Sequence, residues 1–290
     1  MGEHKSQPKA YLFAVLAVLF WSTVATAFKL TLRVTDFIDM LFWASISSTL
    51  VLLTMTAVQG KLSRLKFSGR HLRSSLLMGF LNPFLYYLVL FKAYSLLPAQ
   101  IAQPLNYTWP IALVLLSAVF LKTGLTTRGI IALLISFIGV VVVSMGRKFS
   151  NVSISPWGIV LAISSAFIWS AYWILNLKDD REPEVKLFAN FVVGTVLVAA
   201  VALVFAHPFS VPATGIIGSI YIGIFEMGIT FFLWLRALEL AERQAPVANL
   251  IYLSPFISLV FINRVLGERI LPTTVVGLAL IVLGIIIQKK

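Results

Sequence analysis

Long apolar runs separated by short polar or basic stretches are the dominant pattern of the chain. A surface helix of a soluble protein keeps one polar face, whereas most of these runs are apolar all round, as a helix surrounded by lipid must be. Runs of about the 20 residues that cross a bilayer fall at about residues 10–30, 37–58, 72–97, 98–121, 126–145, 155–177, 185–205, 212–237, 244–265 and 273–288. They predict an all-α integral membrane protein of ten transmembrane helices. Ala25-Thr26-Ala27 has the small residues of a signal-peptidase site, but the repeat described next requires the first helix to be retained.

The interruptions of the pattern are as informative as the pattern itself. Asn106-Tyr107-Thr108-Trp109-Pro110 is a polar and aromatic knot inside the fourth run. Pro110 cannot donate to the carbonyl of Asn106, a defect of about 3 kcal/mol unless protein or water satisfies the freed group. The knot has a counterpart, Tyr252-Leu253-Ser254-Pro255, 145 residues later. Phe20-Trp21-Ser22 likewise recurs as Ile168-Trp169-Ser170, and Phe91-Lys92-Ala93-Tyr94-Ser95-Leu96 as Leu235-Arg236-Ala237-Leu238-Glu239-Leu240. The matches keep their order at a nearly constant offset, which marks an internal repeat. The expected organisation is a leader at 1–9, a first repeat at 10–145, a connecting loop at 146–154, a second repeat at 155–288 and a short end at 289–290. Five helices per repeat is an odd number, so the second copy enters the membrane from the opposite side. Two inverted five-helix repeats around a central cavity are a plan of secondary transporters, because the halves can exchange conformations about a midplane site.

Polar residues and prolines gather near the middle of the spans. Asn82 and Pro83 interrupt the third, Pro110 the fourth, Glu226 the eighth, and Asn249, Tyr252 and Pro255 the ninth; Asn82 and Glu226 are mates under a 144-residue offset. Helical spacing gives stripes: Asn82 with Tyr86, Gln103 with Asn106 and Tyr107, Glu226 with Thr230, and Asn249 with Tyr252. Trp169, Tyr172 and Trp173 make an aromatic stripe on the sixth span, with Trp21 its partner on the first; Tyr172 and Trp173 also fit an interfacial aromatic belt. The candidate substrate-binding residues are therefore Trp21, Asn82, Tyr86, Asn106, Tyr107, Trp109, Trp169, Glu226, Asn249 and Tyr252, with helix kinks at Pro83, Pro110 and Pro255. A carboxylate at the depth of Glu226 costs about 2.5–3.5 kcal/mol to insert. It has three readings: a ligand for a substrate ammonium group, a carrier of a coupling proton, or a bond to a neighbouring helix. Lys92 and Arg236 lie close enough to span ends to snorkel.

Composition narrows the class. Hydrophobic residues make up 59% of the 290 and charged residues 12%, with mean hydropathy +0.96, where a soluble domain carries roughly a quarter charged. The net charge of +12 would suit nucleic acid, but its distribution has another cause. Sixteen of the 23 Lys and Arg fall on the side of the N-terminus and seven on the other, so the positive-inside rule places both termini in the cytoplasm and leaves no nucleic-acid partner. There is no cysteine, and His4, His71 and His207 lie in or beside loops, so no metal or cofactor site is expected. Membrane-embedded catalysis would need a nucleophile, base or metal set at depth, and no histidine, cysteine or paired aspartate occurs there. Gly60-Lys61-Leu62-Ser63 lacks the upstream glycine of a phosphate loop, since position 55 is Met, which argues against an ATP-driven pump.

Ten helices in two halves, the Asn-Tyr-x-Trp-Pro knot at 106–110, Pro255 and the Leu266-Gly267-Glu268 turn together resemble the EamA families of the drug/metabolite transporter superfamily, and within them the bacterial aromatic amino acid exporters. The resemblance covers about residues 10–288. It implies a basket of spans one to four and six to nine, with spans five and ten at its periphery, in a bacterial cytoplasmic membrane. One departure is that the first half has Lys122-Thr123-Gly124 where the second has Gly267-Glu268-Arg269. The aromatic faces and amides of the candidate site suit neutral amino acids with aromatic or bulky apolar side chains, handled by a monomer in the bilayer without cofactor. Exchange of a nucleotide sugar, phosphorylated metabolite or purine, and conduction through a channel, are the alternatives.

Overall fold

The computed structural model describes residues 5–65, 69–120, 126–145, 154–176 and 178–289. Lys66, the 122–124 departure, most of the 146–154 loop, the first four residues of the leader and Lys290 lie outside the described residues. All regular structure among the described residues is helical, and it forms ten spans: α1 (Gln7–Thr31), α2 (Phe37–Val58), α3 (Gly69–Leu96), α4 (99–120), α5 (Thr127–Ser144), α6 (Pro156–Asn176), α7 (Pro183–Phe205), α8 (Ala213–Leu240), α9 (244–266) and α10 (Pro272–Lys289). Local chemistry sets several ends. Asp36 Oδ1 accepts from Ile38 N at 2.8 Å to start α2, Thr126 Oγ1 accepts from Gly129 N at 3.1 Å to start α5, and Gly267 at φ 72° closes α9.

Four spans are broken, all at mid-depth. In α3 a π-type segment, Phe80–Leu85, separates Gly69–Gly79 from Tyr86–Leu96, and Asn82 inside it is extended (φ −147°, ψ 118°). In α4 the helix Ala99–Asn106 ends at Tyr107 and a new one, Trp109–Phe120, begins. The expected single kinked helix is therefore two helices in series. Pro110 sits in the first turn of the second, where a missing N–H costs nothing. Pro255 starts Ser254–Leu266 of α9 in the same way, after a 3₁₀ turn at Leu250–Leu253. In α8 the break falls at 226–228, between Ala213–Phe225 and Ile229–Leu240.

The packing repeats with the halves exchanged: α1 lies on α8 and α9 as α6 lies on α3 and α4, α2 meets α7, and α5 meets α10. α5 and α10 pack closely on each other. A Cβ on Gly139 would lie 2.7 Å from the Gly277 carbonyl oxygen, and Ser136 Oγ donates to Ile281 O at 3.3 Å; small residues let membrane helices approach where lipid supplies no hydrophobic driving force. α1 is a fully integrated element. Its first residues are tied to the end of α8, with Ser6 N donating to Leu240 O at 2.8 Å.

Candidate binding cavity

The breaks surround a central cavity of about 540 Å³, within the size range of small-molecule sites. Eight of the ten candidate residues line it: Trp21, Tyr86, Asn106, Tyr107, Trp109, Trp169, Glu226 and Tyr252. The walls are mostly aromatic. Trp169 lies 4.8 Å from Tyr86 and 5.6 Å from Phe231 by ring centroids, and Trp21 lies 5.6 Å from Trp234. Glu226 is the one charged side chain among the described residues of the lining. Polar bonds hold the wall in shape: Asn106 Nδ2 donates to Ser165 Oγ at 2.9 Å and Ser170 Oγ donates to Trp109 O at 2.7 Å.

Two candidates are corrected. Asn249 is exposed and outside the lining, because this stretch turns Ala248, Ile251 and Tyr252 inward; Asn249 follows Ala248 by one residue, a rotation of about 100°. Asn82 is fully buried but faces α6 and α7 behind the wall. The extended Asn82 breaks the register, so the cavity face of α3 begins only at Tyr86 and continues through Leu90 and Tyr94. Thr230 likewise leaves the expected stripe with Glu226, since α8 is broken between them and its hydroxyl turns back to Phe225 O. Trp173 lines the cavity and Tyr172 is buried, so neither belongs to an interfacial belt. Phe231, Trp234 and Leu238 were legible only as another apolar stripe at helical spacing.

Three polar atoms of the lining residues are buried without a hydrogen-bond partner: Glu226 Oε2, Gln103 Oε1 and Trp173 Nε1. The other Glu226 oxygen accepts from Tyr87 at 3.2 Å. Two acceptors, one of them on a carboxylate, and one donor thus stand unmatched within the wall of the cavity.

The cavity is closed at one end only. At the face opposite the N-terminus, Phe28, Tyr94 and Gln103 are buried, and the α3–α4 and α9–α10 turns are clamped together. Glu268 accepts from Ala99 N at 3.0 Å and from Gln100 N at 3.3 Å, placing its charge on the N-terminus of α4. Gln100 bonds Arg269 O, Leu271 N and Thr274 Oγ1. Lys29 Nζ caps the end of α3 at Tyr94 O (2.9 Å) and Leu97 O (3.0 Å). Toward the N-terminal face the lining residues Val114, Trp234, Leu238 and Ala248 are only half-buried. There the second half of α4 packs on α6 while the end of α8 packs on α1, so the walls part.

Two interlocked halves, helices broken at mid-depth and a cavity open to one face define a membrane transporter of the inverted-repeat type. The EamA-like transporter family model matches residues 8–145 and again 156–288; the chain belongs to this family of multi-pass membrane transporters. It is 27% identical over 292 residues to an uncharacterised transporter of Archaeoglobus fulgidus, covering 97% of this chain and 99% of that one. It is 26% identical over 268 residues to the aromatic amino acid exporter YddG of Ancylobacter novellus, covering 86% of this chain and 88% of that one. A solved crystal structure aligns with TM-score 0.66 at 24% identity, over 97% of this chain and 96% of that one, which shows the same fold.

Proposed function

We propose that the protein exports neutral amino acids with aromatic or bulky apolar side chains by alternating access, from a bacterial cytoplasm across the inner membrane, with both termini cytoplasmic. The observation that carries the substrate class is the set of unmatched atoms in the wall of an aromatic cavity. Glu226 Oε2 and Gln103 Oε1 call for donors, as an ammonium group supplies, and Trp173 Nε1 calls for an acceptor, as a carboxylate supplies. The rings between them favour a flat or bulky apolar side chain by about 0.5–1.5 kcal/mol per pair beyond area, enough for preference within a broad substrate range. An anionic side chain would face Glu226 with no cation among the described lining residues to offset it, and a sugar phosphate would find no Arg or Lys partner among them. The amino acid exporter among the relatives agrees with this class.

The test is counterflow in proteoliposomes. Phenylalanine, tryptophan and methionine should compete with one another at a saturable site without ATP, and Glu226→Gln should weaken that competition. Preferential uptake of glutamate or a sugar phosphate would refute the substrate class and leave the fold unaffected; a steady unitary current in place of saturation would refute the carrier. For sidedness, reporters fused at Lys290 and within residues 206–211 should report opposite faces, with Lys290 cytoplasmic.

A further inference from the structure

We infer that a groove between α1, α8 and α9 seats one acyl chain of an anionic phospholipid, with the headgroup phosphate on Arg33 and Arg264. The groove has a volume of about 510 Å³ and lies in the half of these spans opposite the N-terminus. Leu30, Val34, Ile217, Phe261 and Val265 make its apolar walls. Val34, Ile217 and Val265 are exposed, so the groove opens sideways to the bilayer. Among the described residues it shares no lining with the central cavity: Val24 and Phe28 of α1 face the cavity, whereas Thr23, Ala27 and Leu30 face the groove.

Length and polarity select the chain. The groove follows α1 from Thr23 to Thr31, about 12 Å of helix, and Val34 carries it on to the surface. One leaflet holds about 15 Å of hydrocarbon, so an extended acyl chain fits from the surface to mid-depth. At the inner end Thr23 Oγ1 donates to Phe20 O at 2.7 Å, which makes the Tyr221 hydroxyl the donor of the 2.7 Å bond between Tyr221 and Thr23. Both hydroxyl protons are thus used, and that end suits a terminal methyl group. A Cβ on Gly218 would collide with the Thr31 hydroxyl, so α1 and α8 touch at the floor. The other half is built differently at the matching place. Ser74 and Asp179, the mates of Gly218 and Thr31 under the 144- and 148-residue offsets, are bonded at 2.7 Å, and Arg181 binds both Asp179 and Ser75. One face of the repeat therefore has a polar bridge where the other has an apolar groove.

Charge selects the headgroup. Arg33 and Arg264 directly precede the lining residues Val34 and Val265, and both are exposed. Arg33 Nη2 donates to Leu266 O at 3.3 Å, which draws the ends of α1 and α9 together at the mouth of the groove and leaves further N–H groups of the guanidinium for a ligand. Neither arginine pairs with a carboxylate among the described residues. The acids nearby are committed elsewhere: Asp36 caps α2, and Glu268 accepts from Ala99 N and Gln100 N. Two guanidinium groups beside an apolar slot of leaflet length match a phosphodiester with its chain attached, whereas a zwitterionic headgroup brings a cation of its own. A lipid held there bears on the stretch of α1 that carries Phe28 and Lys29 of the closed end.

The experiment places a bimane fluorophore on Ile217→Cys, at the rim of the groove, in the otherwise cysteine-free full-length protein, reconstituted with phosphatidylglycerol or phosphatidylcholine carrying identical brominated chains. Brominated phosphatidylglycerol should quench saturably, with an affinity about fivefold or more above that of the choline lipid, the effect of a basic residue on an anionic headgroup. The same reporter on Phe137→Cys, at the exposed face of α5, should show no preference. Arg33→Gln and Arg264→Gln should each reduce the preference at Ile217→Cys and together abolish it. Equal affinities for the two lipids at Ile217→Cys, an equal preference at Phe137→Cys, or a preference that survives the double substitution would overturn the inference. The assay contains no amino acid, so its outcome is independent of the proposed substrate.

Discussion

Glu268 is the one acidic element of the clamp that closes the cavity, and its removal should open the closed end. Its two oxygens accept from consecutive backbone N–H groups at 3.0 and 3.3 Å, where hydrogen bonds to charged groups are worth about 1.5–3 kcal/mol each. Glu268→Gln keeps one acceptor and loses both the second and the charge that complements the helix N-terminus. Because the group is half-buried, the low end applies, and a net loss of about 2 kcal/mol is expected. That shifts the closed-to-open ratio roughly 30-fold, since each 1.4 kcal/mol is tenfold. The chain has no cysteine, so Gln103→Cys, just inside the clamp, provides a clean reporter. In vesicles exposing only the clamp side, its labelling by an impermeant maleimide should accelerate about 10- to 30-fold in the Glu268→Gln background, with Glu268→Asp in between. An unchanged labelling rate would refute the clamp as a gate and reduce it to a local turn.

Trp169→Ala removes the ring contacts to Tyr86 and Phe231; at about 1 kcal/mol the half-saturating concentration of a bound aromatic amino acid should rise roughly fivefold in counterflow with expression unchanged, and no change would remove Trp169 from the site. Trp109→Ala and Tyr107→Ala should both reduce transport while inserting normally; wild-type kinetics in both would make the knot a packing feature only. Gly139→Val overpacks the α5–α10 contact against the Gly277 carbonyl at about 1–3 kcal/mol, seen as a melting midpoint several degrees lower, and an unaltered midpoint would show that these helices are not closely packed. Burial alone would raise the Asp179 carboxyl, but the Arg181 guanidinium and the Ser74 hydroxyl hold it well below the usual carboxylate range. Its stabilisation is therefore present above the unfolded value near pH 4 and fades as pH falls toward the lower folded value. Asp179→Asn should lower the melting midpoint at pH 7, and the gap from wild type should narrow below about pH 3; a constant gap would mean that charge is not involved.

The number and length of the spans, the repeat and the mid-depth positions of the breaks were legible from the chain alone. Each follows from a one-dimensional constraint: a bilayer sets the length of an apolar helix, and a proline or carboxylate inside one stands out against it. Eight aromatic and polar candidates could be placed in one cavity for the same reason, since helical spacing groups residues that lie within one unbroken helix. Asn82, Asn249 and Thr230 were misplaced where that condition fails. The π-type segment of α3 and the break of α8 change the rotation of everything beyond them, and the inward arc of α9 is centred on Ala248, Ile251 and Tyr252. Tertiary structure alone decided which face of the protein is closed. Glu268 reads in sequence as part of a turn, and its role depends on backbone N–H groups 169 and 168 positions away. The close approach of α3 and α7 at Gly79 and Gly194 is likewise invisible to any local pattern. Depth in the membrane is written along the chain; the rotation of a broken helix and the partner across the bundle are set only when the helices pack.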